Sequence, residues 1–205
     1  MLLVAGDGSA LAFDNGVNTL RERLAARGMR DVEVLSSDPA SAAKLASPLN
    51  LYGALGTKRV DACLVYLTSH GTPDGLYMNA GRCFLGAAAL DQALTEGCGS
   101  APTVLVVSAC HSGVFLTPEM RKPNRAILTA AAADRASFGC SAEDEYTYYD
   151  QCFLQQLDGA TTWRELALAT KSCVESLERR LGVRRPSNPQ AFFGEAVSDL
   201  RIPGR

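Results

Sequence analysis

The sequence predicts an α/β fold, a mostly parallel sheet of about six strands covered by helices on both faces. Three observations carry this. Short apolar runs alternate with stretches of helical periodicity along the chain. Two runs, residues 62–67 and 103–107, are apolar at almost every position, as parallel strands buried on both faces must be. And 205 residues, 47% hydrophobic and 20% charged, are ordinary for one globular domain with a sizeable core.

The elements follow in order. Leu2, Leu3, Val4 and Ala5 form a strand closed by the turn Gly6-Asp7-Gly8. Val17, Leu20 and Leu24 recur at helical spacing, with Asp14 or Asn15 as the cap and Gly28 as the stop. Residues 32–35 read as a second strand. The alanine-rich stretch 39–55 reads as helix, broken near Pro48. After the strand at 62–67 come a hairpin at 76–84, a helix at 87–96 and the strand at 103–107. Residues 126–131 give another strand, 146–157 and 162–181 two helices, and 190–193 an edge strand. No linker or repeat divides residues 1–205, so one domain is expected.

Composition excludes several functions. Twenty basic against 22 acidic residues give a net charge of −2, the wrong balance for a broad nucleic-acid-binding surface. Arg179, Arg180, Arg184 and Arg185 read as a solvated helix end. No apolar run approaches the ~20 residues of a membrane span. The seven cysteines include no CxxC pair, and Cys63 lies in an apolar run, so the cysteines read as small buried hydrophobes in a reducing compartment. The chain enters a strand at once, without a leader pattern, which points to the cytoplasm; removal of a leader would instead point to the periplasm or secretion. No carboxylate cluster has the spacing of a cation loop, so no metal site is assigned, metal dependence is left open, and no cofactor is expected.

In parallel sheets ligands bind beyond the carboxyl ends of the strands. The strand at 62–67 runs out into Thr68-Ser69-His70-Gly71, and that at 103–107 into Ser108-Ala109-Cys110-His111-Ser112-Gly113. If the two strands are parallel neighbours, His70 and Cys110 emerge on one rim. An imidazole can ionise a thiol and later protonate a leaving amine. The N–H groups of Gly71 and Cys110 are the natural donors to an oxyanion. His111 adjoins Cys110, so its side chain is expected to point elsewhere. A cysteine or histidine alone at such a place is more often structural; two on one rim, each followed closely by glycine, favour chemistry.

These two blocks resemble the His-Gly and Glu-Ala-Cys-Glu-Ser-Gly blocks of the legumain-like cysteine peptidases, a family that includes the catalytic subunit of the GPI transamidase and is related to caspases and gingipains. Val4-Ala5-Gly6 is similar to the family's first strand. Thr129-Ala130-Ala131 with Ser137-Phe138-Gly139-Cys140, and Asp144-Glu145-Tyr146-Thr147-Tyr148-Tyr149, resemble two further family segments. The resemblance implies a caspase-like α/β/α sandwich and a dyad in which His70 is the base, Cys110 the nucleophile and Gly71 an oxyanion donor.

The departures from the family pattern concern the pocket for the residue before the scissile bond, P1. Where legumains carry a pocket arginine, alignment places Asp14; the glutamate two residues before the cysteine is Ser108; the pocket serine falls on Ser137 and the pocket aspartate on Asp144. Carboxylates without a cation favour a basic P1 side chain, so cleavage after Arg or Lys is expected. The chain continues only briefly past the last strand, so inhibition is expected from a short segment, an internal loop or a partner. The loop 115–125, with Arg121, Lys122 and Arg125, is a place for self-cleavage or gating. The expected partner is a peptide or protein substrate, with no nucleic acid and no membrane. Two alternatives stay open: a transamidase or Asn/Asp-specific peptidase using the same acyl-enzyme, and a non-catalytic interaction domain on the same fold.

Overall fold

A computed structural model describes residues 1–29, 31–56 and 60–204. In chain order the strands are β1 (Leu2–Ala5), β2 (Glu33–Ser36), β3 (Lys44–Leu45), β4 (Cys63–Thr68), β5 (Gly71–Thr72), β6 (Gly75–Met78), β7 (Cys83–Leu85), β8 (Thr103–Ser108), β9 (Arg125–Thr129) and β10 (Gln190–Phe193). The helices are α1 (Leu11–Ala26), α2 (Pro48–Leu55), α3 (Ala87–Cys98), α4 (Tyr148–Leu157) and α5 (Trp163–Arg180). Seven strands form one sheet in the order β10-β9-β8-β4-β1-β2-β3, parallel except for β10, and β5-β6-β7 form a small antiparallel sheet beside it.

Alternation along each strand assigns side chains to two cores. Leu3, Tyr66, Val106 and Leu128 face α1, α4 and α5, meeting Phe13, Val17, Leu20, Phe153 and Leu166. Val4, Val65, Leu67, Val107 and Ile127 face α2, α3 and the small sheet, meeting Leu51, Leu90, Leu94, Leu76 and Met78. With both faces covered, the central strands have no solvated side, which is why β4, β8 and β9 read as continuous apolar runs.

Three expectations need correction. Residues 39–47 are not helical, and the short strand they supply brings the sheet to seven strands, in line with the about six expected. Asp38 and Ser41 accept bonds from the backbone N–H groups of Ala40 and Ala43, fixing turns, and β3 joins the sheet edge. The break at Pro48 is a helix start: Ser47 caps the N–H of Asn50, and proline at the first position needs no donor. Asp14 does not cap α1; the N-cap is Ala10, and Asp14 lies buried in the helix body.

The cysteines also differ from the reading as apolar side chains. Cys63 at the start of β4 bridges to Cys98 at the end of α3, and Cys152 of α4 to Cys173 of α5; Cys83, Cys110 and Cys140 are free. Disulfides persist in oxidising surroundings, so the inference of a reducing compartment loses its basis. Sequence spacing could not show these pairs, because each meets only when two elements pack. No helix among the described residues is long and apolar enough to cross a membrane.

Candidate active site

Strands β4 and β8 are adjacent and parallel, and their register pairs Thr68 with Ser108. His70 and Cys110 each follow two residues later, so they leave the sheet side by side. Beyond the ladder, the N–H of Ser69 still donates to the carbonyl of Ser108. The two chains stay so close that a Cβ on residue 71 would sit 2.2 Å from the Cys110 carbonyl oxygen, which only glycine avoids. After Cys110 the backbone turns sharply: His111 adopts a left-handed φ of 57° and a short 3-10 turn, Ser112–Phe115, follows.

A narrow cleft at this rim is lined by Phe13, Ser69, His70, Ser108, Ala109, Cys110, Ser137, Phe138, Cys140 and Thr147. It thus brings together His70, Cys110, Ser108 and Ser137. The Cys110 sulfur accepts from the N–H of Ser137 at 3.2 Å and lies 3.4 Å from that residue's carbonyl oxygen. The His70 ring packs edge-on against Phe13, centroids 5.1 Å apart. Its Nε2 lies 3.9 Å from an oxygen of Asp7, a buried carboxylate in the turn after β1 whose other oxygen accepts the N–H of Ser9. His111 is held away by contact of its Nδ1 with the Ala133 carbonyl at 2.9 Å.

The two carboxylates expected in the P1 pocket lie elsewhere. Asp14 points from α1 to the end of β2, where the Ser36 hydroxyl donates to it at 2.5 Å; its second oxygen is buried without a partner. Burial raises its pKa above the ordinary carboxylate range, with Ser36 opposing and Asp38 adding to the rise. Asp144 accepts the N–H and hydroxyl of Ser141 within its own loop and faces a separate depression shared with Arg23, Glu143 and Glu145.

Four residues of the site went unrecognised in the sequence. Asp7 read only as part of a turn, although it ends a parallel strand, where site residues gather. Phe13 and Cys140 carried no chemical signal. Asp150, wholly buried, accepts from the hydroxyls of Tyr66 and, at 2.8 Å, Thr68; the hydroxyl of Ser108 also lies against it, and its N–H is capped by Thr147. It lay within a helical pattern between Tyr149 and Gln151, so nothing marked it.

The crystal structure of caspase-1 from Spodoptera frugiperda is similar to the chain, with a TM-score of 0.65 at 15% identity, over 97% of this chain and 90% of that one. The fold is therefore caspase-like. No curated protein sequence matches. The model of the peptidase C13 family matches residues 47–172, more than half of the sequence and a span that includes both strand ends and the lining of the cleft apart from Phe13, and the chain belongs to that family.

Proposed function

We propose that the protein is a cysteine endopeptidase with Cys110 as nucleophile and His70 as general base, cleaving after Arg or Lys. The observation that carries this is the pairing of Thr68 with Ser108, which sends one imidazole and one thiol into the same cleft. His70 takes the proton of Cys110, and the thiolate attacks the peptide carbonyl. The N–H groups of Gly71 and Cys110 bind the resulting oxyanion. Collapse breaks the C–N bond, and His70 returns its proton to the leaving amine. Water, activated by His70, then hydrolyses the thioester and restores the thiol. Asp7 lies 3.9 Å from Nε2 of that imidazole.

The P1 preference is supported by the character of the cleft: its lining holds aromatic rings and hydroxyls and, among the described residues, no Lys or Arg. A substrate guanidinium or ammonium meets no basic side chain there other than His70. Of the basic residues in loop 115–125, Lys122 is bonded to Asp91 and Thr95 and Arg125 is buried on Asp91, leaving Arg121 as the exposed point for self-cleavage.

Fluorogenic peptides varied at P1, with product mass analysis, test this reading. Cys110→Ala and His70→Ala are each expected to lower kcat/KM by about 10³ or more with the fold intact by circular dichroism. Full turnover in either variant overturns the dyad. Preference for Asn or Asp at P1 overturns the specificity.

A further inference from the structure

We propose that Cys110 and Cys140 form a reversible redox pair: a hydroperoxide oxidises the sulfur of Cys110, and Cys140 captures it as a disulfide that blocks the cleft. This rests on the peptidase reading above for the identity of the reactive thiol. The free cysteines are Cys83, Cys110 and Cys140, and the last two line the same narrow cleft. That cleft holds only about 10 Å³ of free space, so its lining side chains crowd together. Cys83 sits at the start of β7, outside that lining.

The backbone between β9 and α4 brings the second sulfur to the first. Residues 135–147 form neither helix nor strand. Within them Ser137 donates its N–H to the Cys110 sulfur at 3.2 Å, so the segment lies directly on the nucleophile. Two residues later Gly139 takes a left-handed φ of 85°, and a Cβ there would lie 2.7 Å from the backbone nitrogen of Tyr148. The turn this permits folds Cys140 back against the cleft. The N–H of Tyr148 donates to the carbonyl of Phe138 and holds the turn from the α4 side. A disulfide needs Cα atoms about 4.4–6.8 Å apart, and any remaining approach falls on irregular backbone, with no strand or helix to unpick.

The surroundings of Cys140 assign the parts. Burial, with Cys110 and Asp144 adding, pushes its thiol up from the ordinary range. Cys140 therefore stays protonated at neutral pH, and it is thiolates that react with peroxides. Cys110, which gives its proton to His70 in the peptidase reading, is oxidised first. Its thiolate takes one oxygen from the hydroperoxide, the O–O bond breaks, and the oxyanion left over takes the proton held by His70. The sulfur loses two electrons to the peroxide and becomes a sulfenic acid. Cys140 then attacks that sulfur, the S–O bond breaks, and the thiol proton leaves with the hydroxyl as water. Two glutathione molecules restore both thiols and leave as glutathione disulfide. Without Cys140, a second peroxide takes Cys110 to the sulfinic acid, which thiols do not reduce. Surroundings oxidising enough to close Cys63–Cys98 and Cys152–Cys173 also threaten an open nucleophile, which gives the pair its use.

The test treats the intact chain, its two structural disulfides in place, with a few equivalents of hydrogen peroxide and then catalase. Peptic digestion without reduction, read by mass spectrometry, is expected to show Cys110 and Cys140 peptides joined, about 2 Da lighter than their sum. Labelling of Cys110 by iodoacetamide is expected to fall about tenfold and to recover with glutathione, which spares stable structural disulfides. In Cys140→Ser the same treatment is expected to leave Cys110 about 32 Da heavier, with its labelling lost for good. Cys83→Ser is expected to follow the wild type. Cys110 joined to Cys83, or carried to the sulfinic acid in the wild type as fast as in Cys140→Ser, overturns the proposal. Should Cys140→Ser not fold, the wild-type peptide map still decides, and absence of the Cys110–Cys140 link refutes the pair. Untreated protein separates the two readings. Cleavage of an Arg-P1 peptide by a protein that forms no such link sinks this inference alone. A protein that forms the link but cleaves no peptide before treatment sinks the peptidase reading and upholds the redox pair.

Discussion

Asp7 and Asp14 lie seven residues apart and illustrate opposite uses of a buried carboxylate. Asp7 faces His70 across 3.9 Å, close enough to steady the ring. Asp7→Asn keeps the shape and removes the charge; kcat is expected to fall about tenfold with KM nearly unchanged, measured by steady-state kinetics. Asp14 faces no cation and has one oxygen without a partner. Because burial raises its folded pKa, the fold favours the protonated acid. Its contribution to stability is complete below its unfolded value of about 3.9 and is lost as pH rises through the folded value. Asp14→Asn is therefore expected to gain in melting temperature relative to the wild type between pH 4 and pH 8, and a constant difference would refute that account. At this scale the sequence disclosed the histidine and the cysteine that meet at the cleft, because these residue types at strand ends are chemically conspicuous. It hid the carboxylates, because an aspartate looks the same whether it caps a helix or lies against a buried hydroxyl.

Strand β9 and helix α3 are joined by a buried ion pair. The Arg125 side chain is 2% exposed, lies 2.5 Å from Asp91 and also reaches Thr95, while Lys122 reaches Asp91 from the loop. Burial pushes the Asp91 pKa up, but bonds from Arg125 and Lys122 prevail and hold it below the ordinary value. This stability is present above about pH 3.9 and is lost as pH falls through the lower folded pKa. Asp91→Asn leaves a buried guanidinium short of charge and is expected to cost about 3 kcal/mol in chemical denaturation. The elements themselves were largely legible. β1, β4, β8, β9, α3, α4 and α5 matched apolar periodicity, and Thr162 with Glu165 forms a capping box where the sequence places the start of α5. The misreading at residues 39–47 arose because alanine favours helix only where no polar side chain offers the backbone another partner.

Across the whole molecule the two disulfides divide their work between the layers. Cys63–Cys98 fastens β4 to α3 on one face, and Cys152–Cys173 fastens α4 to α5 on the other. With sequence separations of 35 and 21, each restricts the unfolded chain by about 3–4 kcal/mol. Reduction is expected to lower the melting temperature by well over 10 °C, measured by calorimetry with and without a phosphine reductant. An equal melting point in both conditions would remove the disulfides from the stability of the fold. The order of the sheet was readable only in part: alternation of strand and helix implied parallel neighbours, but not that β1 lies inside the sheet with β2 and β3 beyond it. The level ending of β4 and β8 has its own consequence. The distance from imidazole to sulfur is inherited from the ladder of backbone bonds, not from the crossover that links the two strands. Loops and α3 between them are thus free to vary in length over generations, whereas one residue inserted within either strand would turn its terminal side chain to the opposite layer and part the imidazole from the thiol at a stroke.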